Sequence, residues 1–292
     1  MRICIYIPIT KIDFLDETFS SVINQTRHDY DVLVMDNTIN GHGVVKEKYE
    51  QYFGHLPSAS MIATPHHLGD GDPTQSWNYG LSHIHADYFT LLGDDDALAP
   101  NYLEEMLNLM ASHPAAPIYR CQVHMINEKG QITKYGQSVP ETITWDKYIY
   151  DRKTYKFTQS TSEFCICTES INKIGGYLSY PYAICSDEAT YITLMLSGEM
   201  VSTNKTYAYW RRHGNNLSMR VPYSLRIEAL TKFYVFVQTL LNTQHHVIHD
   251  TIMLRCVEVN KRKERKGVIK KKLYGSNLLG WFIKKVYKNK AI

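Results

Sequence analysis

Tyr88-Phe89-Thr90-Leu91-Leu92-Gly93-Asp94-Asp95-Asp96 is the stretch on which the fold turns. An apolar and aromatic run of strand length stops at a glycine and is followed at once by three carboxylates, which reads as a buried strand running into a rim loop. Beyond Pro100, Asn101 is in position to cap a helix whose inward face carries Leu103, Met106, Leu107 and Met110. The acids therefore lie between a strand end and a helix start, the place where open α/β sheets bind ligands. Three adjacent carboxylates repel one another, and a divalent cation with a preference for hard oxygen ligands, Mg²⁺ or Mn²⁺, relieves that cost. Taken alone, the triplet is equally the composition of an acidic surface loop.

The preceding segments repeat the strand-and-helix grammar. Ile3-Cys4-Ile5-Tyr6-Ile7 reads as a buried strand ending at Pro8, and Phe14, Leu15, Thr18, Phe19, Val22 and Ile23 share one face of a helix that Asp13 is placed to cap. Asp31-Val32-Leu33-Val34-Met35 is a second apolar strand that stops at Asp36. Strand, helix and strand in this order form a right-handed parallel unit, which puts Thr10 and Asp36 on one rim. A short strand at 61–63 and a helix over 75–84 follow. After the acids come a hairpin across Asn127-Glu128-Lys129-Gly130, an aperiodic stretch over 137–160 read as irregular, a strand over 164–167 and a helix over 187–196.

Composition bounds the remainder. The chain has 292 residues, 44% of them hydrophobic, which excludes a disordered or collagenous chain. Its net charge of +3 is unevenly distributed, because 261–292 holds twelve Lys and Arg against the single acid Glu264 and so carries +11, leaving −8 on 1–260. In that tail Leu278, Leu279, Trp281, Phe282, Ile283 and Val286 form one broad side of a helix, opposite Lys284, Lys285 and Lys288. A basic helix with an aromatic apolar face suits an anionic membrane surface, while packing on the rest of the protein and nucleic-acid binding are the competing readings. The six cysteines show no C-x-x-C spacing, so neither a disulfide framework nor a zinc site is indicated. With no signal-peptide pattern and no apolar run of transmembrane length, the expected location is cytoplasmic, with contact at the inner face of the membrane.

The ordered motifs Ile7-Pro8-Ile9-Thr10, Ser21 to Thr26, Val34-Met35-Asp36-Asn37-Thr38, Asn78-Tyr79-Gly80-Leu81, Asp94-Asp95-Asp96 with Pro100, Lys173 to Tyr177, Ser186-Asp187 and Trp210 to Ser218 resemble those of family-two glycosyltransferases. The resemblance extends over about residues 3–218. It implies the GT-A fold, a Rossmann-like, mixed and mostly parallel sheet flanked by helices, as a domain over 1–220. The C-terminal helical region with its basic tail then occupies 221–292.

The resemblance also implies roles. Pro8 and Thr10 match the loop that embraces the nucleoside, Asp36 the acid that reads uracil, and Asn78 the helix that closes over the donor. Asp94 and Asp96 match the outer acids of the DXD motif, with Asp96 and Asp94 as ligands to Mn²⁺ or Mg²⁺ and Asp94 or Asp95 near the ribose and sugar. Arg211 is assigned to the donor and His213 to the metal or diphosphate. Asp187 matches the general base. Gly93 stands where many relatives carry a further acid, and Glu188 is a second carboxylate beside the base. The implied activity is inverting transfer from a nucleoside-diphosphate sugar, a UDP-sugar, to a hydroxyl of a surface glycan or lipid-linked saccharide. The alternative is a non-catalytic nucleotide- or glycan-binding protein on the same fold, and nucleic acid is not an expected partner.

Overall fold

The computed structural model describes residues 1–243 apart from Gly71, Thr154, Tyr155, 217–220 and the side chain of Asn242. The basic segment 261–292 and its expected helix lie outside the described residues. The chain divides into two compact units, Met1–Phe233 and Tyr234–Ile292.

β1 (Ile3–Ile9) is buried along its whole length, as an unbroken apolar run requires, since a strand covered on both faces cannot alternate. It pairs in parallel with β2 (Asp31–Asp36) on one side and β4 (Tyr88–Leu91) on the other. The crossover between β1 and β2 is α1 (Leu15–Ile23), which buries Leu15, Thr18, Phe19 and Val22 and carries Asp16 and Glu17 in its first turn, where the helix dipole favours acids. After α2 (His42–Phe53), β3 (Ala59–Ala63) extends the parallel ladder beside β2.

The second half of the sheet is mixed. β5 (Ala97–Leu98), α4 (Tyr102–Ser112) and β6 (Ile118–Ile126) are followed by β7 (Ile132–Lys134) and β8 (Thr142–Ile143), then by β9 (Phe164–Cys167) and the long β10 (Met200–Arg211). Among the described residues these strands make one sheet of order β3-β2-β1-β4-β9-β6-β10-β5, with β7 on β6 and β8 on β10. The long pairings, including β6 with β10, are parallel, whereas the antiparallel ones are short. The expected mixed, mostly parallel α/β architecture is therefore the one observed.

Some local expectations fail for identifiable reasons. Asn101 precedes α4 but does not cap it, because its amide donates to the Lys205 carbonyl and accepts from Thr206 Oγ1, tying the helix start to β10. The stretch 137–160, expected to be irregular, contains β8 and α5 (Trp145–Lys153), whose Trp145, Tyr148 and Ile149 are buried at helical spacing. α3 (Thr74–Leu81) packs directly on β1 through Gly80, where a Cβ would stand 2.1 Å from the Tyr6 hydroxyl. That contact accounts for the glycine in the Asn78-Tyr79-Gly80-Leu81 motif. No described helix is long and apolar enough to cross a membrane.

Candidate active site

The C-terminal ends of β1, β2 and β4 open onto one rim. Backbone bonds from Leu92 to Tyr6 and from Asn37 to Ile9 continue the ladders past the strand ends. The Asp94 carboxylate then takes over from the backbone, its Oδ2 accepting from Thr10 N at 2.8 Å, Thr10 Oγ1 at 2.9 Å and Lys11 N at 2.8 Å. Thr10, expected on the rim as part of the nucleoside loop, here bonds the acid cluster. Pro8 is buried and stands opposite Met35 in the β1–β2 register.

The three acids are held in three different ways. Asp96 Oδ2 accepts from Ser160 Oγ at 2.8 Å and Ser162 Oγ at 2.6 Å, and its Oδ1 accepts from Arg211 N at 3.0 Å. Asp95 Oδ2 instead faces cationic and titratable side chains, Lys11 Nζ at 2.6 Å and His213 Nε2 at 2.8 Å. Burial, followed by repulsion from Asp95, pushes the Asp96 carboxyl above its ordinary range, and its three donors offset only part of this. Asp94 is raised by the same burial, against the pull of Lys11. Burial lowers the Lys11 ammonium, but the attraction of Asp94 and Asp95 outweighs it and the net shift is upward. At Gly93 a Cβ would lie 3.3 Å from both the Asp95 and Asp96 carboxylates, so this departure from the usual acid leaves room for those two side chains to fold back over the turn.

Arg211 ends β10, and His213 follows it into the cluster. Arg211 is 1% exposed. Its Nε donates to the Asp95 carbonyl at 2.8 Å, Nη1 donates to the Asn127 carbonyl at 3.1 Å, and Nη2 pairs with Glu17 at 2.7 Å. Its donors are spent on the protein, so Arg211 braces the acid turn and does not present a free guanidinium to a donor. His213 Nδ1 accepts from Asn215 N and Nε2 faces Asp95 Oδ2, so Nε2 donates to Asp95 in this arrangement and must lose that proton to ligate a metal.

The fit of a divalent ion follows from these partners. Asp94 and Asp96, the expected ligands, are engaged by backbone and hydroxyl donors, while Asp95 Oδ2 is shared by His213, the Lys11 ammonium and, at 3.4 Å, Asn216 Nδ2. One carboxylate and one imidazole suit an ion that completes its shell with substrate phosphate oxygens. Among the described residues, no group of three or more His, Cys, Asp or Glu is placed to hold a metal ion without such help.

Asp36 is 1% exposed. Thr38 N and Oγ1 donate to its Oδ1 at 2.9 and 2.7 Å, and the His42 ring meets its Oδ2. A base reaching that carboxylate would share or displace His42, a neighbour without a signal in the motif. Asn78 spends both ends of its amide on Tyr177, donating to the carbonyl at 2.9 Å and accepting from the N–H at 2.8 Å. It therefore clamps α3 to the segment leading to α7 (Ser186–Met195).

Asp187 occupies the first turn of α7. The approach to it is strained: Tyr182, Ala183 and Cys185 all have positive φ, at 53°, 53° and 66°. For non-glycine residues such conformations cost of order 1–3 kcal/mol each, and they persist where a side chain must be delivered to a site. Burial and then Glu188 push the Asp187 carboxyl up, and Arg152 and a 2.8 Å bond from Gln159 Nε2 pull it part of the way back. Arg152 and Lys153 pair with Glu188 and hold its carboxyl below its ordinary range despite the burial that opposes them, which makes it the weaker proton acceptor of the two.

The segment Gln159-Ser160-Thr161-Ser162-Glu163 joins these parts. Gln159 bonds Asp187, Ser160 and Ser162 bond Asp96, and Glu163 caps the turn by accepting from Ser160 N at 2.9 Å while pairing with buried Arg120 at 2.5 Å. The sequence reading singled out neither this segment nor Lys11. The turn has a capping-box signature, Ser160-x-x-Glu163, which was available to find it.

Comparison with known proteins agrees with this architecture. The sequence profile described as Glycosyl transferase family 2 matches residues 4–174. No curated protein sequence matches the chain. The fold is similar to that of S. aureus TarS 1–349 in complex with UDP-GlcNAc, with TM-score 0.66 and 16% identity over 87% of this chain and 70% of that one. It is also similar to the mannosyltransferase PcManGT from Pyrobaculum calidifontis in complex with GDP-Man and Mn²⁺, with TM-score 0.56 and 11% identity over 99% of this chain and 80% of that one. At these identities the structural likeness concerns the fold, which is GT-A. The profile match covers more than half of the residues and falls on the β1, β2 and β4 rim, so this chain belongs to glycosyl transferase family 2.

Proposed function

We propose that this glycosyltransferase moves a sugar, with inversion, from a UDP-sugar to a hydroxyl of a surface-glycan or lipid-linked saccharide, with Asp187 as general base. The observation that carries the reading is that consecutive residues serve both halves of the reaction: Gln159 bonds Asp187, and Ser160 bonds Asp96. Adjacent Cα atoms are about 3.8 Å apart, so one short segment fixes the base relative to the acid cluster. The complexes with UDP-GlcNAc and GDP-Man in proteins of the same fold support a nucleotide-sugar donor.

In the proposed reaction the acceptor oxygen attacks the anomeric carbon as its proton passes to the Asp187 carboxylate. The bond from that carbon to the diphosphate breaks, and its electron pair leaves with the nucleoside diphosphate. Asp95 and His213 would hold a Mn²⁺ or Mg²⁺, which supplies positive charge to the leaving diphosphate. Lys11 supplies a fixed positive charge in the same cluster, and Asp94 and Asp96 hold the turn that presents Asp95. Asp36 would receive the base, alongside Thr10 and Pro8.

Residues 1–220 would form the catalytic domain and 221–292 a helical region whose basic tail meets an anionic membrane surface. The placement at the inner face of the membrane belongs to this proposal. Release of UDP from UDP-GlcNAc and other UDP-sugars, with and without Mn²⁺, tests the donor. Turnover of any of them supports the reading, whereas tight nucleotide binding without turnover of any would favour a non-catalytic binding protein.

A further inference from the structure

Tyr148, Gln159 and Asp187 form a hydrogen-bonded line across separate elements. The Tyr148 hydroxyl donates to Gln159 Oε1 at 2.7 Å, and Gln159 Nε2 donates to Asp187 Oδ2 at 2.8 Å. Tyr148 is 0% exposed and Gln159 7%. A carboxamide has unlike ends, one accepting and one donating, so the partner at one end decides which end faces the other neighbour. The phenol on α5 supplies a proton and so takes the oxygen, leaving the N–H₂ end to face the carboxylate. If the amide were turned over, two acceptors would meet at Asp187 and a buried hydroxyl would face a donor.

We propose that Gln159, oriented by Tyr148, is the positioning residue for the base, fixing the rotation of the Asp187 carboxylate and holding it in the ionised, proton-accepting form. The proposal rests on Asp187 being the base. A carboxylate offers about four acceptor sites; Gln159 takes one and leaves others for the acceptor hydroxyl.

The other groups facing Asp187 do not replace this function. Burial and Glu188 favour the protonated, non-basic form, and Arg152 from α5 acts at a distance through its charge. Tyr148, Tyr177 and Tyr191 also face it, and burial keeps all three phenols protonated and neutral. Among the described residues, Gln159 is the side chain that hydrogen-bonds the carboxylate, beside the backbone N–H of Glu188.

The test uses the full chain with Mn²⁺ and UDP-GlcNAc, or whichever UDP-sugar is turned over fastest, following UDP release with water as the acceptor whose proton passes to Asp187, between pH 5 and 9. Removing a hydrogen bond to a carboxylate moves its titration by about one pH unit. In Gln159→Leu the acidic limb of kcat should therefore move up by about one unit, with kcat at neutral pH down about tenfold and KM for the UDP-sugar unchanged. Gln159→Glu keeps the shape and the Tyr148 bond but sets a second carboxyl beside Asp187, so its limb should move further up. Tyr148→Phe releases the amide and should move the limb in the same direction by less. If Gln159→Leu does not fold, Gln159→Glu decides. Folded Gln159 variants with an unmoved acidic limb would overturn the proposal while Asp187→Asn still abolished turnover. Turnover that survives Asp187→Asn would instead remove the base assignment itself.

Discussion

Lys11 Nζ lies 2.6 Å from Asp95 Oδ2, inside the acid cluster, and 3.5 Å from Asp94 Oδ1. The side chain is 27% exposed, so the pair is partly desolvated and less screened than a surface ion pair. A bound divalent ion would seek the same oxygen. Lys11→Met should therefore lower stability by about 1–2 kcal/mol in metal-free buffer, and Mn²⁺ should raise the melting temperature of the variant more than that of the native chain. Thermal melts across a Mn²⁺ titration read both effects, and equal Mn²⁺ responses would show that Lys11 is not the counter-ion of this cluster.

Arg120 and Glu163 are a buried pair, 1% and 0% exposed at their side chains, with the Arg120 guanidinium 3.9 Å from the centre of the Phe157 ring. Burial pushes the Glu163 carboxyl up to about 7 even against Arg120. Removing one partner leaves the other charge uncompensated, so Glu163→Gln should cost about 3–5 kcal/mol in chemical denaturation. Arg120→Met in the same chain should recover part of that loss. Because Glu163 holds the turn bearing Ser160 and Ser162, the single variant should also lose turnover.

Gly80→Ala brings a methyl group to 2.1 Å from the Tyr6 hydroxyl, a contact that α3 or β1 must move to relieve. Overpacking of this kind costs about 1–3 kcal/mol or more. The denaturation midpoint measures it, and a midpoint within error of the native chain would mean that α3 does not sit directly on β1.

The parts legible in the sequence are those with local grammar. The β1, α1 and β2 unit and the strand leading into the acids follow from unbroken apolar runs and an amphipathic face, and Asp36, Asp94, Asp95 and Asp96 follow because strand ends share a rim. What the sequence hid depends on distant partners. Nothing near Lys11 announces that its ammonium turns back to an acid more than eighty residues later, and Gln159 becomes informative only when α5 and α7 stand on either side of it. The capping box at Ser160 and Glu163 was readable, but it lies in a stretch whose polar and aromatic residues mask the helical spacing of Trp145, Tyr148 and Ile149. Asp94 and Asp96 match the family motif, but only the folded partners show that they bond backbone N–H and hydroxyl groups while Asp95 faces Lys11 and His213.

Asp187 should also reveal itself through stability. Its carboxyl titrates above the ordinary range in the folded chain, so the folded state binds its proton more tightly than the unfolded state does. The resulting stabilisation is present below about pH 4, the unfolded value, and is lost as pH rises through the raised folded value. Asp187→Asn has no such slope and can still accept the Gln159 bond. Paired thermal melts should therefore show the variant gaining on the native chain as pH increases from 4 to 8, and a constant difference would mean that the carboxylate is not strained by its surroundings.

The most direct test of Asp187 as the base is a comparison of native and Asp187→Asn chains for UDP release from a UDP-sugar under single-turnover conditions, with UDP affinity measured in parallel. The expected result is a fall of about 10²–10⁴ in rate, the scale of general-base catalysis, with UDP affinity unchanged. Release by Asp187→Asn at close to the native rate would contradict it.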